Sequence, residues 1–285
     1  MKEMTLYIGH GSRDTEGNQE FLEFISHLQM YDPERHTHAC FLELANPNIS
    51  EGIAACVVDG ATRIVVVPVI LLAATHVKLE IPEFLDLARA QYPHVDIVYG
   101  RNIGLHEWMI DLLQDRFQEH IGNVDPSVLA ETAIVLMGRG SSDADANGDL
   151  YKIARVLWER TGVQTVEVCF TGITFPRLPD GIHRAISLQA RRIVVVPYFL
   201  FTGVLMKRMR DVLEGLQEEY AATQMSMADY LGMHPRLLDI IRDRRTEASA
   251  GLATMNCDLC KYRRSATHHH HSHDSDLLAA ESVHI

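Results

Sequence analysis

The chain has 285 residues, room for two domains of ordinary size, and its 47% hydrophobic and 22% charged content is that of a packed globular protein. A formal charge of −12 argues against a general affinity for nucleic acid or an anionic membrane surface, and no apolar run reaches the roughly 18–20 residues a membrane span needs. A strand-like run close to the start leaves no room for a signal peptide, and five cysteines without a dense framework fit a reducing compartment, so the expectation is a cytoplasmic protein.

In chain order, apolar β-rich runs alternate with helical periodicity. Thr5–Ile8 reads as a strand, and residues 15–30 as a helix through Phe21, Leu22, Phe24, Ile25 and Leu28. Residues 37–44 read as a second strand, 48–60 as a helix, and 63–71 as a β-branched, fully buried strand. A helix over 82–92, a strand over 96–99 and a helix over 106–120 follow. The alternation predicts an α/β protein, a parallel sheet with helices on both faces. Residues 123–127, Asn-Val-Asp-Pro-Ser, are the best linker.

After that linker the pattern begins again. Gly138-Arg139-Gly140-Ser141-Ser142-Asp143 mirrors Gly9-His10-Gly11-Ser12-Arg13-Asp14, an offset of 129 residues. The same offset carries Cys40-Phe41 onto Cys169-Phe170, Pro47 onto Pro176 and Lys78 onto Lys207. It also carries Arg63-Ile64-Val65-Val66-Val67-Pro68 onto Arg192-Ile193-Val194-Val195-Val196-Pro197. Further on it shifts by one, so that Gly104-Leu105-His106 meets Gly232-Met233-His234. A register held this long indicates a duplicated domain. The chain divides into lobes over residues 1–124 and 125–247, with a tail over 248–285.

The duplication separates scaffold from chemistry. Strand residues and turn glycines match between halves, but His10 becomes Arg139, Glu43 becomes Gly172 and His76 becomes Leu205. All three lie where a strand gives out, the edge at which ligands bind in open parallel sheets. Two imidazoles and a carboxylate suit a divalent metal or acid–base work. Residues needed by the fold would be wanted in both copies, so the first lobe is the chemical half.

The combination resembles a known family. Gly9-His10-Gly11-Ser12-Arg13, the strand Cys40-Phe41-Leu42-Glu43-Leu44-Ala45, His76-Val77-Lys78 with Ile81-Pro82, and Met255-Asn256-Cys257-Asp258-Leu259-Cys260 together resemble the long form of the sirohydrochlorin chelatases, class II tetrapyrrole chelatases. The resemblance implies two flavodoxin-like lobes facing across a tetrapyrrole cleft. It also implies that His10, Glu43 and His76 are the metal-binding and catalytic residues. The implied activity is cobalt insertion into sirohydrochlorin for cobalamin synthesis. Iron insertion for siroheme stands as the alternative, with Ni²⁺ a further ion the donor set accepts. A non-catalytic metallochaperone or tetrapyrrole carrier is a reading from another class.

Two histidines and one glutamate leave coordination positions open, as a site that must surrender its ion requires, with Glu43 either a ligand or the group orienting a histidine. One imidazole would accept a pyrrole proton. No Gly-x-x-x-x-Gly-Lys-[Ser/Thr] pattern occurs, and the scheme needs no ATP. Sirohydrochlorin is polyanionic, so an acidic protein must gather cations at the cleft. Arg13, Lys78, Arg139 and Lys207 are the expected substrate-binding cations, with Arg177 and Arg208 weaker choices that suit solvated surface charge. Arg139 sets a fixed charge where the first lobe has a metal ligand. Ser12 is expected to bind substrate, and Ser141 and Ser142 can add hydrogen bonds, although all three also suit helix caps. Cys257-x-x-Cys260 is half of a four-cysteine site, which two subunits of a homodimer could complete; the resemblance favours a shared iron–sulfur cluster there over zinc or a redox disulfide. Cys40 and Cys169 read as core thiols, and the histidine run from His268 to His273 as a metal-storing segment.

Overall fold

The computed structural model describes residues 2–33 and 35–254. The cysteine pair Cys257/Cys260 and the histidine run therefore lie outside the described residues. The first half folds as β1 (Glu3–Gly9), α1 (Thr15–Tyr31), β2 (His36–Phe41), α2 (Ile49–Val58), β3 (Arg63–Pro68), a π-helical turn (His76–Glu80) running into α3 (Ile81–Gln91), β4 (Asp96–Tyr99) and α4 (Glu107–Ile121). A short α5 (Pro126–Leu129) lies in the connector, where Asp125 accepts the Ser127 N–H and Pro126 takes the first helical position. The second half repeats the pattern as β5 (Thr132–Gly138), α6 (Ala144–Thr161), β6 (Thr165–Phe170), α7 (Leu178–Ser187), β7 (Arg192–Pro197), α8 (Val204–Glu219), β8 (Gln224–Met227) and α9 (Pro235–Ser249). Each half holds a four-stranded parallel sheet, in the orders β2-β1-β3-β4 and β6-β5-β7-β8.

Two strands stop earlier than their apolar character predicts. β3 ends at Pro68; Val69 N–H still donates to the Ile8 carbonyl, and the Ile70 and Leu71 carbonyls accept from the N–H groups of Ile103 and Gly104 in the loop after β4. β2 ends at Phe41, and Leu44 turns through a positive φ of 62°. Both early exits free a loop at the ligand edge.

The period of two sorts the valines. Ile64 and Val66 of β3 face a core with α2 and α3, whereas Val65 and Val67 face inward. In β7, Ile193 and Val195 face α7 and α8, whereas Val194 and Val196 face inward. The two inward faces share one core, built with α1, α4, α6 and α9. Side chains fully buried there, such as Phe24 and Phe117, contribute roughly 1.5–3 kcal/mol each.

The last helix of each half crosses to the other. α9 packs on β3 and β4, and α4 packs on α6 and β7. Each carries an arginine that fixes the opposite lobe's last loop. Arg244 donates to the carbonyls of Ile103 (3.0 and 2.8 Å) and Leu105, and Arg116 donates to that of Leu231 at 2.8 Å. The lobes are thus held in a fixed relation, with the C-terminal ends of both sheets opening on one cleft. No described helix is long and apolar enough to cross a membrane.

Candidate metal centre

Three loops bring the predicted trio together. His10 follows β1, Glu43 follows β2, and His76 opens the π-helical turn after β3. The contact between the first two loops depends on Gly11. Its φ is +87°, and a Cβ there would sit 1.8 Å from the Glu43 carbonyl oxygen, so only glycine lets the chains meet. The ladder continues past the strands, with Leu42 N–H donating to Gly9 and Glu43 N–H to His10 at 3.1 Å. The third loop departs from the second lobe, where α8 is regular from Val204 onward; a π-helical turn is often a mark of function.

One donor atom from each of His10, Glu43 and His76 lies within 4.8 Å of the others. The two imidazoles meet edge to face with centroids 4.9 Å apart, and His10 Nδ1 is 3.6 Å from Glu43 Oε1. His76 Nδ1 lies 2.9 Å from Glu80 Oε2. A carboxylate accepts, so Nδ1 carries the hydrogen, and in the neutral ring Nε2 is the nitrogen with the lone pair. Burial, then the neighbouring Arg139 guanidinium, depresses the His10 pKa below the ordinary histidine value, which leaves the imidazole neutral at pH 7. His10 and His76 line a cleft of about 700 Å³ between the lobes, a volume suited to a large organic ligand.

Arg13, Arg139 and Ser12 line this cleft. The Ser12 hydroxyl oxygen accepts the Asp14 N–H at 3.0 Å, which leaves its hydrogen and a second lone pair for a ligand. Ser141 repeats that turn against Asp143; Asp14 and Asp143, not the serines, are the helix caps, and Ser142 also lines the cleft. The lysines are a correction. Lys78 and Lys207 were expected to meet substrate carboxylates, but each ammonium reaches across to acids at the first turn of a helix in the opposite lobe. Lys78 Nζ lies 2.9 Å from Asp143 and 2.8 Å from Asp145; Lys207 Nζ lies 3.0 Å from Asp14 and 2.8 Å from Glu16. Asp14 and Asp143 cap α1 and α6, so the lysines close helix caps across the lobe boundary. Arg177 stacks on Phe175 with its guanidinium 4.7 Å from the ring centre, and neither it nor Arg208 lines the cleft. Cys40 and Cys169 are buried thiols, as read from the repeat. Burial raises both thiol pKa values, and pushes that of Cys56 to about 12.

Three features escaped the sequence reading. Glu80 orients His76, and its only sequence signal is a carboxylate four residues on. Leu44 and Ile173 are repeat partners, both at positive φ (62° and 66°), both largely exposed and both lining the cleft. A β-branched residue there is a true outlier, and strained apolar residues at a cleft mouth point to a ligand with apolar faces. The third is the contact of Arg139 with His10, at 2.6 Å.

The CbiX family profile matches residues 4–120 and again residues 133–248. The chain belongs to the CbiX family. Similar CbiX-type relatives include the sirohydrochlorin cobaltochelatase of Priestia megaterium, 44% identical over 93% of this chain and 87% of that protein. The sirohydrochlorin ferrochelatase of the same organism is 38% identical over 83% and 86%. The crystal structure of the sirohydrochlorin chelatase SirB from Bacillus subtilis subspecies spizizenii in complex with cobalt superposes with a TM-score of 0.75. It is 33% identical and covers 88% of this chain and 97% of that one. The repeated match and the superposition agree with the duplicated α/β chelatase fold expected from sequence.

Proposed function

We infer that this CbiX-family protein is a sirohydrochlorin cobaltochelatase, inserting Co²⁺ into the metal-free tetrapyrrole without ATP. The observation that carries this reading is the trio of two imidazoles and a carboxylate within 4.8 Å at the edge of the cleft. Similarity to a cobaltochelatase over nearly the whole chain supports cobalt as the ion. In this reading His76 presents Nε2 to the incoming ion, held in orientation by Glu80. Glu43 adds charge that offsets the dication, and His10 completes the set. Borderline nitrogen and hard oxygen donors hold Co²⁺ without the grip of a thiolate site, so the ion can be surrendered. Insertion replaces two pyrrole N–H protons by one M²⁺, so two protons must leave. A neutral imidazole beside the ring receives one of them and passes it to water, and water takes the other directly. The ring's carboxylates meet Arg13 and Arg139, and its faces meet Leu44 and Ile173. Cys257, Cys260 and the histidine run add donors that suit metal supply, and an iron–sulfur cluster shared across a homodimer remains part of the proposal for that segment.

The second reading, iron insertion for siroheme, is favoured by the 38% identity to a ferrochelatase. Anaerobic absorbance assays with Co²⁺ and Fe²⁺ at matched free-ion concentrations separate the two. Replacing His10 and His76 together by Ala abolishes insertion of either ion while metal binding by the tail survives. Insertion persisting in that double variant would refute the catalytic assignment and favour a metal carrier instead.

A further inference from the structure

Arg139 stands in the second lobe where the first has His10, and its guanidinium spans the cleft to that histidine. Nη1 lies 2.6 Å from His10 Nε2. A guanidinium donates and never accepts, so Nε2 must be the bare nitrogen and Nδ1 must carry the hydrogen. That hydrogen has its own acceptor, the Gly11 carbonyl 3.1 Å from Nδ1. Both imidazole nitrogens are therefore occupied. An ion arriving at Nε2 has to displace Arg139. An ion arriving at Nδ1 would move the imidazole hydrogen to Nε2, where it would face the guanidinium N–H. By either route His10 becomes a ligand only after this contact breaks.

What would break it is also visible. Lys78 and Lys207 are each clasped by two carboxylates, but no carboxylate pairs with Arg139 among the described residues. Arg139 is exposed and lines the cleft. A carboxylate of an incoming ligand offers a guanidinium two parallel charge-assisted hydrogen bonds, more than one imidazole nitrogen gives.

We propose that Arg139 is a latch on the metal site: it holds His10 while the cleft is empty and lets go when a tetrapyrrole carboxylate takes it. The ring then primes its own metal site, and tight ion binding follows ring binding. Arg139 is in this role a positioning residue that acts through His10. The proposal rests on the reading of His10, Glu43 and His76 as the metal site. A latch that must open lowers apparent affinity by the fraction of molecules in which it is open.

The test measures Co²⁺ affinity of the full chain without tetrapyrrole, by equilibrium dialysis and by the visible absorption of bound Co²⁺. Ions held elsewhere, including by the histidine run, are subtracted with the variant carrying Ala at His10 and His76. Arg139→Leu is expected to tighten cleft binding of Co²⁺ about tenfold while raising the KM for the tetrapyrrole. General damage would not move the two in opposite directions. Arg139→Lys keeps a charged donor and is expected to keep the weak affinity. Should Arg139→Leu fold poorly, Arg139→Gln removes the charge at similar size. Unchanged or weaker Co²⁺ binding in the neutral variants, with cleft binding still lost in the double-histidine variant, overturns the latch and leaves the metal site standing. Co²⁺ binding indifferent to His10 and His76 overturns both.

Discussion

The two lobes agree in their hydrogen bonds and differ in what those bonds hold up. In the first, Gly11 lets the turn after β1 touch the turn after β2, and His10 and Glu43 ride on the contact. In the second, Gly140 does the same at a φ of +88°, with the Gly172 carbonyl 2.2 Å from where a Cβ would stand. The Gly172 N–H donates to the Arg139 carbonyl at 3.1 Å, repeating the bond between Glu43 and His10. The frame that carries His10 and Glu43 is thus retained where neither has a counterpart of its own kind. Retention marks scaffold, and loss marks chemistry.

That contrast can be broken at the lysine clasps first. Lys78 and Lys207 are repeat partners, but Lys78 is 6% exposed with acids at 3% and 16%, whereas Lys207 is 57% exposed. Lys78→Met strands the buried Asp143 carboxylate and the half-buried Asp145 and is expected to lower stability by about 3–5 kcal/mol in denaturant unfolding. Lys207→Met is expected to leave the midpoint nearly unchanged, because an exposed ion pair is largely screened. Burial opposes the charge on Lys78, but the hydrogen bonds of Asp145 and Asp143 outweigh it and hold its pKa above the ordinary lysine value. The clasp therefore contributes fully below the unfolded lysine pKa and is lost only as pH rises through the higher folded one.

The ligand edge sharpens the comparison next. Glu43→Gln is expected to lower kcat/KM about 10–100-fold in the insertion assay. The counterpart change, Gly172→Ala, meets only the Arg177 side chain at 3.6 Å and is expected to leave activity within about twofold. Equal losses at both positions would mean that the second lobe takes part in the chemistry. The smallest effect is expected at the lips of the cleft. Leu44→Ser and Ile173→Ser each forfeit roughly 1 kcal/mol of apolar contact, so the tetrapyrrole KM should rise about fivefold in either variant with kcat little changed. Here alone the lobes should behave alike.

Much of this was legible before any coordinates. The β-branched runs ending in Pro68 and Pro197 disclosed the two sheets because fully buried strands read as unbroken apolar stretches. The trio was legible because its members disappear together from the second copy. The lysines were misread for a reason the repeat itself contained. Lys78 matches Lys207, Asp14 matches Asp143, and Glu16 stands opposite Asp145, so by the rule that matched residues serve the fold they belong to the scaffold. What sequence could not show was that each pair closes across the lobes, over separations of 65 to 193 residues. Glu80, the backbone turns of Leu44 and Ile173, and the reach of Arg139 depend on local geometry that periodicity does not encode.

The crossing of α4 and α9 has its own consequence. Each sheet borrows a helix synthesised in the other half, and each borrowed helix brings the arginine that braces its host's last loop. Neither half covers its own sheet with its own last helix, so each copy relies on the other for burial, and independent drift of one is curbed by the needs of the other. That dependence explains how a half without the two imidazoles and the carboxylate can persist: it is the structural guardian of the half that has them.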